Sequence, residues 1–249
     1  MRTRAHLPPD GPLELLVPIA ARPDHVAVAV PDMDAAAARW QGALGGVWLS
    51  PRYSGGGFGT RQLRFANTGK LELLEPDEAE GFAAGFVARF GARIHHLTLK
   101  VPDLLEAVAT LEAAGYDTVD VSTAQEEWHE AFLRPSQVGG MIVQIARPQH
   151  DDEGWARRAG VQLPPVDPEA PALLGPTLTH PDLDAARRLW STLGAELTDD
   201  GDGFVARWGD APIDVRVVPG PSAGPIGLRF DPDPGLPADD VAGPETLPR

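Results

Sequence analysis

The chain has 249 residues, enough for one large domain or two small ones, and its 43% apolar content can bury a real core. With 36 acidic residues against 21 basic ones the formal charge is −15, which excludes the basic surface that nucleic acid or an anionic membrane needs in a partner. There is no cysteine, so disulfides, thiolate nucleophiles and iron–sulfur clusters are excluded; no apolar stretch approaches a membrane span, and a cytoplasmic protein is expected.

Residues 1–22, rich in proline, read as an irregular N-terminal arm. From Asp24 the text turns periodic. His25–Val30 reads as a strand, Pro31–Asp34 as a turn and helix cap, and Ala35–Leu44 as a helix ended by Gly45 and Gly46. Strand candidates follow at 47–49, 60–66 and 70–74, giving β-α-β-β-β. The glycines 55–57 lack the Gly-Lys-Ser/Thr of a phosphate loop and read as a flexible flap.

The pattern then repeats. His96–Val101 is followed by Pro102-Asp103, a helix through Ala113, and Gly115. His25 and His96 each lie six residues before a Pro-Asp pair, and each unit ends in an apolar strand with one polar residue, Glu72 or Gln144. A third copy runs from Pro176 through Pro181-Asp182, with Gly175 where the histidine would stand. A fourth begins at Ile226 and ends in Pro, Gly and Asp. The expected layout is a complete two-module domain over 23–148, a polar linker over 149–171, a degenerate third module over 172–231 and an irregular or disordered tail over 232–249. The fold class is α+β, with paired βαβββ modules whose curved mixed sheets enclose a cleft. The third module exposes an apolar face that calls for cover by the first domain or by a second subunit in a homodimer.

Alternation along a strand puts residues two apart on one face. Val26, Val28 and Val30 then face the helices, and His25 faces away. His96, Glu72 and Gln144 point to the same side, so His25, Glu72, His96 and Gln144 converge in one cleft. Two imidazoles, a carboxylate and an amide oxygen suit a divalent metal with room for substrate oxygens. Tyr53, Arg61 and Arg64 are candidates for binding a carboxylate or phosphate of a small-molecule substrate.

The arrangement resembles the vicinal-oxygen-chelate superfamily, which includes glyoxalases, methylmalonyl-CoA epimerases, bleomycin-resistance proteins and extradiol dioxygenases. The segments Asp24–Ala29, Leu71–Pro76, Ile94–Leu97 and Gly140–Ile145 carry the resemblance, and they are similar to the epimerase and glyoxalase branch. It implies that His25, Glu72, His96 and Gln144 are the metal ligands. Two positions depart from that branch: Gln144 stands where the epimerases end with a glutamate ligand, and Gln62 stands at the position of a proton-transferring glutamate. The resemblance also turns the face carrying Glu127, His129 and Ala131 toward the cleft, making Glu127 and His129 acid–base candidates. His95 faces the helices and is structural.

Three functions follow as expectations. One is a metal enzyme (Co, Ni, Mn, Zn or Mg) stabilising an enolate-type intermediate: an epimerase, isomerase or glyoxalase-like lyase. The second is an Fe(II) dioxygenase using His25, Glu72 and His96. The third is a metal-free binding or resistance protein.

Overall fold

A computed structural model describes residues 17–249, so residues 1–16 of the expected arm lie outside it. Nine strands form the first sheet. They are β1 (Arg22–Ala29), β2 (Val47–Trp48), β3 (Tyr53–Gly55), β4 (Phe58–Arg64), β5 (Lys70–Pro76), β6 (Arg93–Lys100), β7 (Thr118–Gln125), β8 (Trp128–Leu133) and β9 (Ile142–Pro148). Their order is β2-β4-β5-β1-β6-β9-β8-β7, with β3 paired to β4. Each module pairs its first and last strands in parallel, β1 with β5 and β6 with β9, and β1 joins β6 antiparallel. The two expected modules therefore form one continuous curved sheet.

The Pro-Asp repeat has a direct physical meaning. Helix α1 (Met33–Ala37) continues into a π-helical turn over Ala38–Ala43, whereas one regular helix over 35–44 was expected. Asp32 caps α1 by accepting from the Ala35 N–H at 2.9 Å. Asp103 does the same for α3 (Leu104–Ala113) and Asp182 for α6 (Leu183–Thr192), each satisfying an orphan helix donor. The glycine run is a tight turn: Gly56 and Gly57, both at positive φ, close the β3–β4 hairpin, a geometry that asks for residues without Cβ.

The second sheet has the order β11-β12-β13-β10-β14-β15. It contains β10 (Ala172–His180), β11 (Glu196–Asp200), β12 (Gly203–Arg207), β13 (Val215–Pro219), β14 (Gly224–Asp231) and β15 (Thr246–Leu247). β10 pairs parallel with β13 and antiparallel with β14, as β1 does with β5 and β6. The incipient fourth copy thus supplies one strand, β14, that completes the third module. The module's apolar face packs on the first domain: Val26, Trp40 and Phe65 share one core with Leu173, Trp190, Phe204 and Phe230.

Two segments carry more structure than expected. Residues 149–171 contain a helix, α5 (Asp152–Ala159), capped by Asp151 and closed by Gly160 in the left-handed conformation. Residues 232–249 are largely irregular but tied down, since the Trp40 indole donates to the Ala242 carbonyl at 2.9 Å and β15 adds to β14. Helix α2 (Phe82–Phe90), not anticipated in the sequence, packs on Ala29 and Leu74 at one end of the concave face. Among the described residues, no helix is long and apolar enough to cross a membrane.

Candidate metal centre

The concave face of the first sheet encloses a cavity of about 1020 Å³. At its floor, strand register brings three side chains together. Ala27 on β1 is flanked by Glu72 on β5 and His96 on β6, and His25 stands one pleat away on the same face. His25 Nε2 lies 3.8 Å from Glu72 Oε2, and His96 Nε2 lies 3.8 Å from Glu72 Oε1. Donor atoms of all three fall within 4.8 Å of one another. Donors about 2.1 Å from a shared ion stand roughly 3–4 Å apart, so two imidazole nitrogens and a carboxylate at this separation fit a divalent metal.

The surroundings prepare these groups for that task. His25 Nδ1 lies 2.7 Å from Asp24 Oδ2, which fixes the ring and leaves Nε2 facing Glu72. Asp24 is itself held by Lys70 Nζ at 2.7 Å and Lys100 Nζ at 2.5 Å, and Lys70 is bridged to Asp152 on α5 at 2.8 Å. Burial alone would raise the Asp24 pKa. The Lys70 ammonium, with His25 and Lys100, outweighs it and holds the carboxyl well below the usual range. His96 is pushed well below the usual imidazole range by burial, reinforced by His95 and His25, so it is neutral at neutral pH, as a metal ligand must be.

Gln62 joins the set. Its amide nitrogen is 3.2 Å from Glu72 Oε2 and 3.3 Å from His25 Nδ1. Gln144 reaches the set through Thr98: its amide oxygen accepts from Thr98 Oγ1 at 2.6 Å, and Thr98 Oγ1 is 3.1 Å from His25 Nε2. Tyr53 and Arg61 line the cavity, with the Arg61 guanidinium 4.2 Å over the Trp48 ring.

Other expectations are corrected. Ala131 and Leu133 are buried in the core beneath the sheet, so alternation turns His129 toward that side, away from the cavity. Glu127 pairs with Arg158 at the surface. On β8, Trp128, Glu130 and Phe132 line the cavity, and Leu133 reaches its edge at the strand's end. Arg64 donates to the Pro164 carbonyl at 2.9 Å instead of lining the cavity. His95 does line it, because a bulge between the Ala27–His96 and Val28–Ile94 pairs breaks the alternation. Its Nδ1 lies 2.8 Å from His96 Nδ1, and its ring packs edge-on against Phe86.

His95 gives a pH prediction. Burial lowers its pKa from 6.5 to about 4. Below pH 6.5 the unfolded chain takes a proton that the folded one refuses, so stability is full above that value and falls toward pH 4. The expected loss from His95 is about 2 kcal/mol between pH 8 and pH 5. Urea midpoints of the metal-stripped protein at the two pH values check this; equal midpoints would refute it.

The glyoxalase/bleomycin resistance protein/dioxygenase superfamily model matches residues 24–132. Ethylmalonyl-CoA/methylmalonyl-CoA epimerase of Cereibacter sphaeroides is 33% identical over 129 residues, covering 50% of this chain and 96% of that protein. Mitochondrial methylmalonyl-CoA epimerase of Homo sapiens is 30% identical over 128 residues, covering 50% of this chain and 72% of that protein. Among solved structures, a hypothetical protein from Staphylococcus aureus superposes with a TM-score of 0.63 at 11% identity, over 92% of this chain and 100% of that chain. That likeness concerns the fold, and it extends across both sheets.

Proposed function

The chain belongs to the glyoxalase/bleomycin resistance protein/dioxygenase superfamily, and from that premise we propose that it is a divalent-metal enzyme of epimerase or isomerase type, moving a proton at a carbon beside a carbonyl. The observation that carries this reading is the convergence of His25, Glu72 and His96 on one point of a large cavity. The names of the relatives point to a 2-substituted acyl thioester, with methylmalonyl-CoA and ethylmalonyl-CoA as first probes.

His25, Glu72 and His96 would hold a Co, Ni, Mn, Zn or Mg ion. When bound, such an ion supplies a Lewis acid that draws electron density from a carbonyl oxygen and makes the neighbouring C–H acidic. Asp24 keeps the His25 ring in place. Gln62 offers amide hydrogens beside Glu72 and is too weak a base to take a proton itself. Phe58, Phe82, Trp128 and Phe132 give the cavity apolar walls that exclude water.

Two histidines and one carboxylate are also the ligand set of non-haem Fe(II) oxygenases, which keeps a dioxygenase as the second reading. Elemental analysis of protein purified without a chelator separates the two. The expected result is about one equivalent of Co, Ni, Mn, Zn or Mg in the wild type, lost in His96→Ala. Iron with oxygen uptake would favour the oxygenase. No metal in the wild type after reconstitution would overturn both.

A further inference from the structure

The cavity is chemically one-sided. The metal set lies at the seam between β1, β5 and β6. Toward β2–β4 the cavity is lined by Leu49, Tyr53, Phe58, Thr60, Arg61 and Gln62, with no carboxylate among them. Toward β7–β9 it is lined by Gln144, Trp128, Phe132 and the carboxylates of Glu130 and Asp120. Asp120 is exposed at the rim. Asp24 and Asp152 are tied up with Lys70 and Lys100. Glu130 is half-buried and pairs with no cation among the described residues. It is held in place instead: Gln144 Nε2 donates to Oε2 at 2.7 Å, and the Trp128 indole donates to the same oxygen at 3.1 Å. None of the described residues donates to Oε1.

Resting on the reading above, we infer that Glu130 is the proton-transfer residue and that it acts alone, from one face of the substrate. The C–H bond beside the carbonyl breaks, its proton passes to Glu130 Oε1, and the electron pair moves onto the carbonyl oxygen. The return step reverses these movements on the same face. Inversion requires a second group on the opposite face, and on the β2–β4 side the cavity offers the amide of Gln62 with Tyr53 and Arg61 and no carboxylate. The productive reaction is then a same-face 1,3-proton shift, in which the proton returns to the far carbon of an adjoining C=C bond while that double bond moves into conjugation with the carbonyl, an isomerisation. On a malonyl-type thioester with no such carbon, only exchange with solvent remains.

The metal-loaded protein is tested with single stereoisomers of methylmalonyl-CoA and ethylmalonyl-CoA in D2O, followed by NMR. Deuterium is expected to enter at C2 at least about ten times faster than configuration changes. Glu130→Gln is expected to lower exchange by about 10²–10⁴-fold, while metal content and calorimetric binding of the thioester stay at the wild-type level. Glu130→Asp, which keeps a shorter carboxylate, is expected to fall between the two. Epimerisation as fast as exchange, or exchange that survives Glu130→Gln, overturns this inference and leaves the metal enzyme standing. No exchange at all in metal-loaded wild type overturns the functional reading together with it.

Discussion

Replacing Asp24 by alanine is expected to destabilise the protein by about 3–5 kcal/mol and to weaken metal binding by about 10–100-fold. Both effects come from one carboxylate. Asp24 is 8% exposed and sits between Lys70, itself 5% exposed, Lys100 and the His25 ring. Without it, Lys70 keeps only Asp152, from a helix at the cavity's edge, and much of its charge is left buried without compensation. The His25 ring also loses the acceptor that fixes its Nδ1 proton. Asp24→Asn separates the two effects: an amide oxygen can still accept from Nδ1, but it cannot neutralise Lys70. It is expected to cost stability much as alanine does while sparing more of the metal affinity. Urea unfolding of the stripped protein and competition with a chelator measure the two separately. A loss under about 1 kcal/mol for Asp24→Ala would mean that water or Asp152 neutralises Lys70, and the cluster would not be structural.

The residues legible in the sequence are those whose strands keep strict alternation. Val26, Val28, Leu71 and Leu73 set the phase of β1 and β5, so His25 and Glu72 follow. The repeated Pro-Asp text is legible because each aspartate caps a helix. Alternation fails where the phase cannot be read locally. In the run Glu126–Glu130 the one apolar residue, Trp128, lines the cavity, and the core phase is set only by Ala131 and Leu133, which turn His129 away and Glu130 in. His95 faces the cavity through a bulge, which leaves no mark in a His-His pair. Asp24 is not legible in the sequence because its role depends on Lys70, 46 residues away, a contact that β1–β5 register creates. Helix α5 hid in a segment whose charge and proline resembled a linker, although Asp151 and Gly160 mark its two ends.

Truncating Phe230 to alanine is expected to cost about 3–5 kcal/mol, although the residue belongs to neither the metal set nor the cavity. Phe230 lies on β14, fully buried, with its ring 5.3 Å from Phe65 and 6.5 Å from Trp40. Those two partners belong to the first domain, so the side chain fills the junction between the two sheets. Neighbouring contacts limit how far the site can collapse: Asn67 Nδ2 donates to the carbonyls of Leu173 and Pro212, and Trp40 Nε1 donates to that of Ala242. A void would therefore remain. Because Val26 and Val28, on the strand that carries His25, share this core with Leu173 and Phe230, the half that carries the candidate metal site is expected to unfold together with the other. Calorimetry is expected to show one transition for the wild type, and for Phe230→Ala a single transition about 10 °C lower. Two resolved transitions, with only the later-melting or earlier-melting half moved by the substitution, would show that the sheets are separate domains in contact. In that case the second sheet would not support the metal centre.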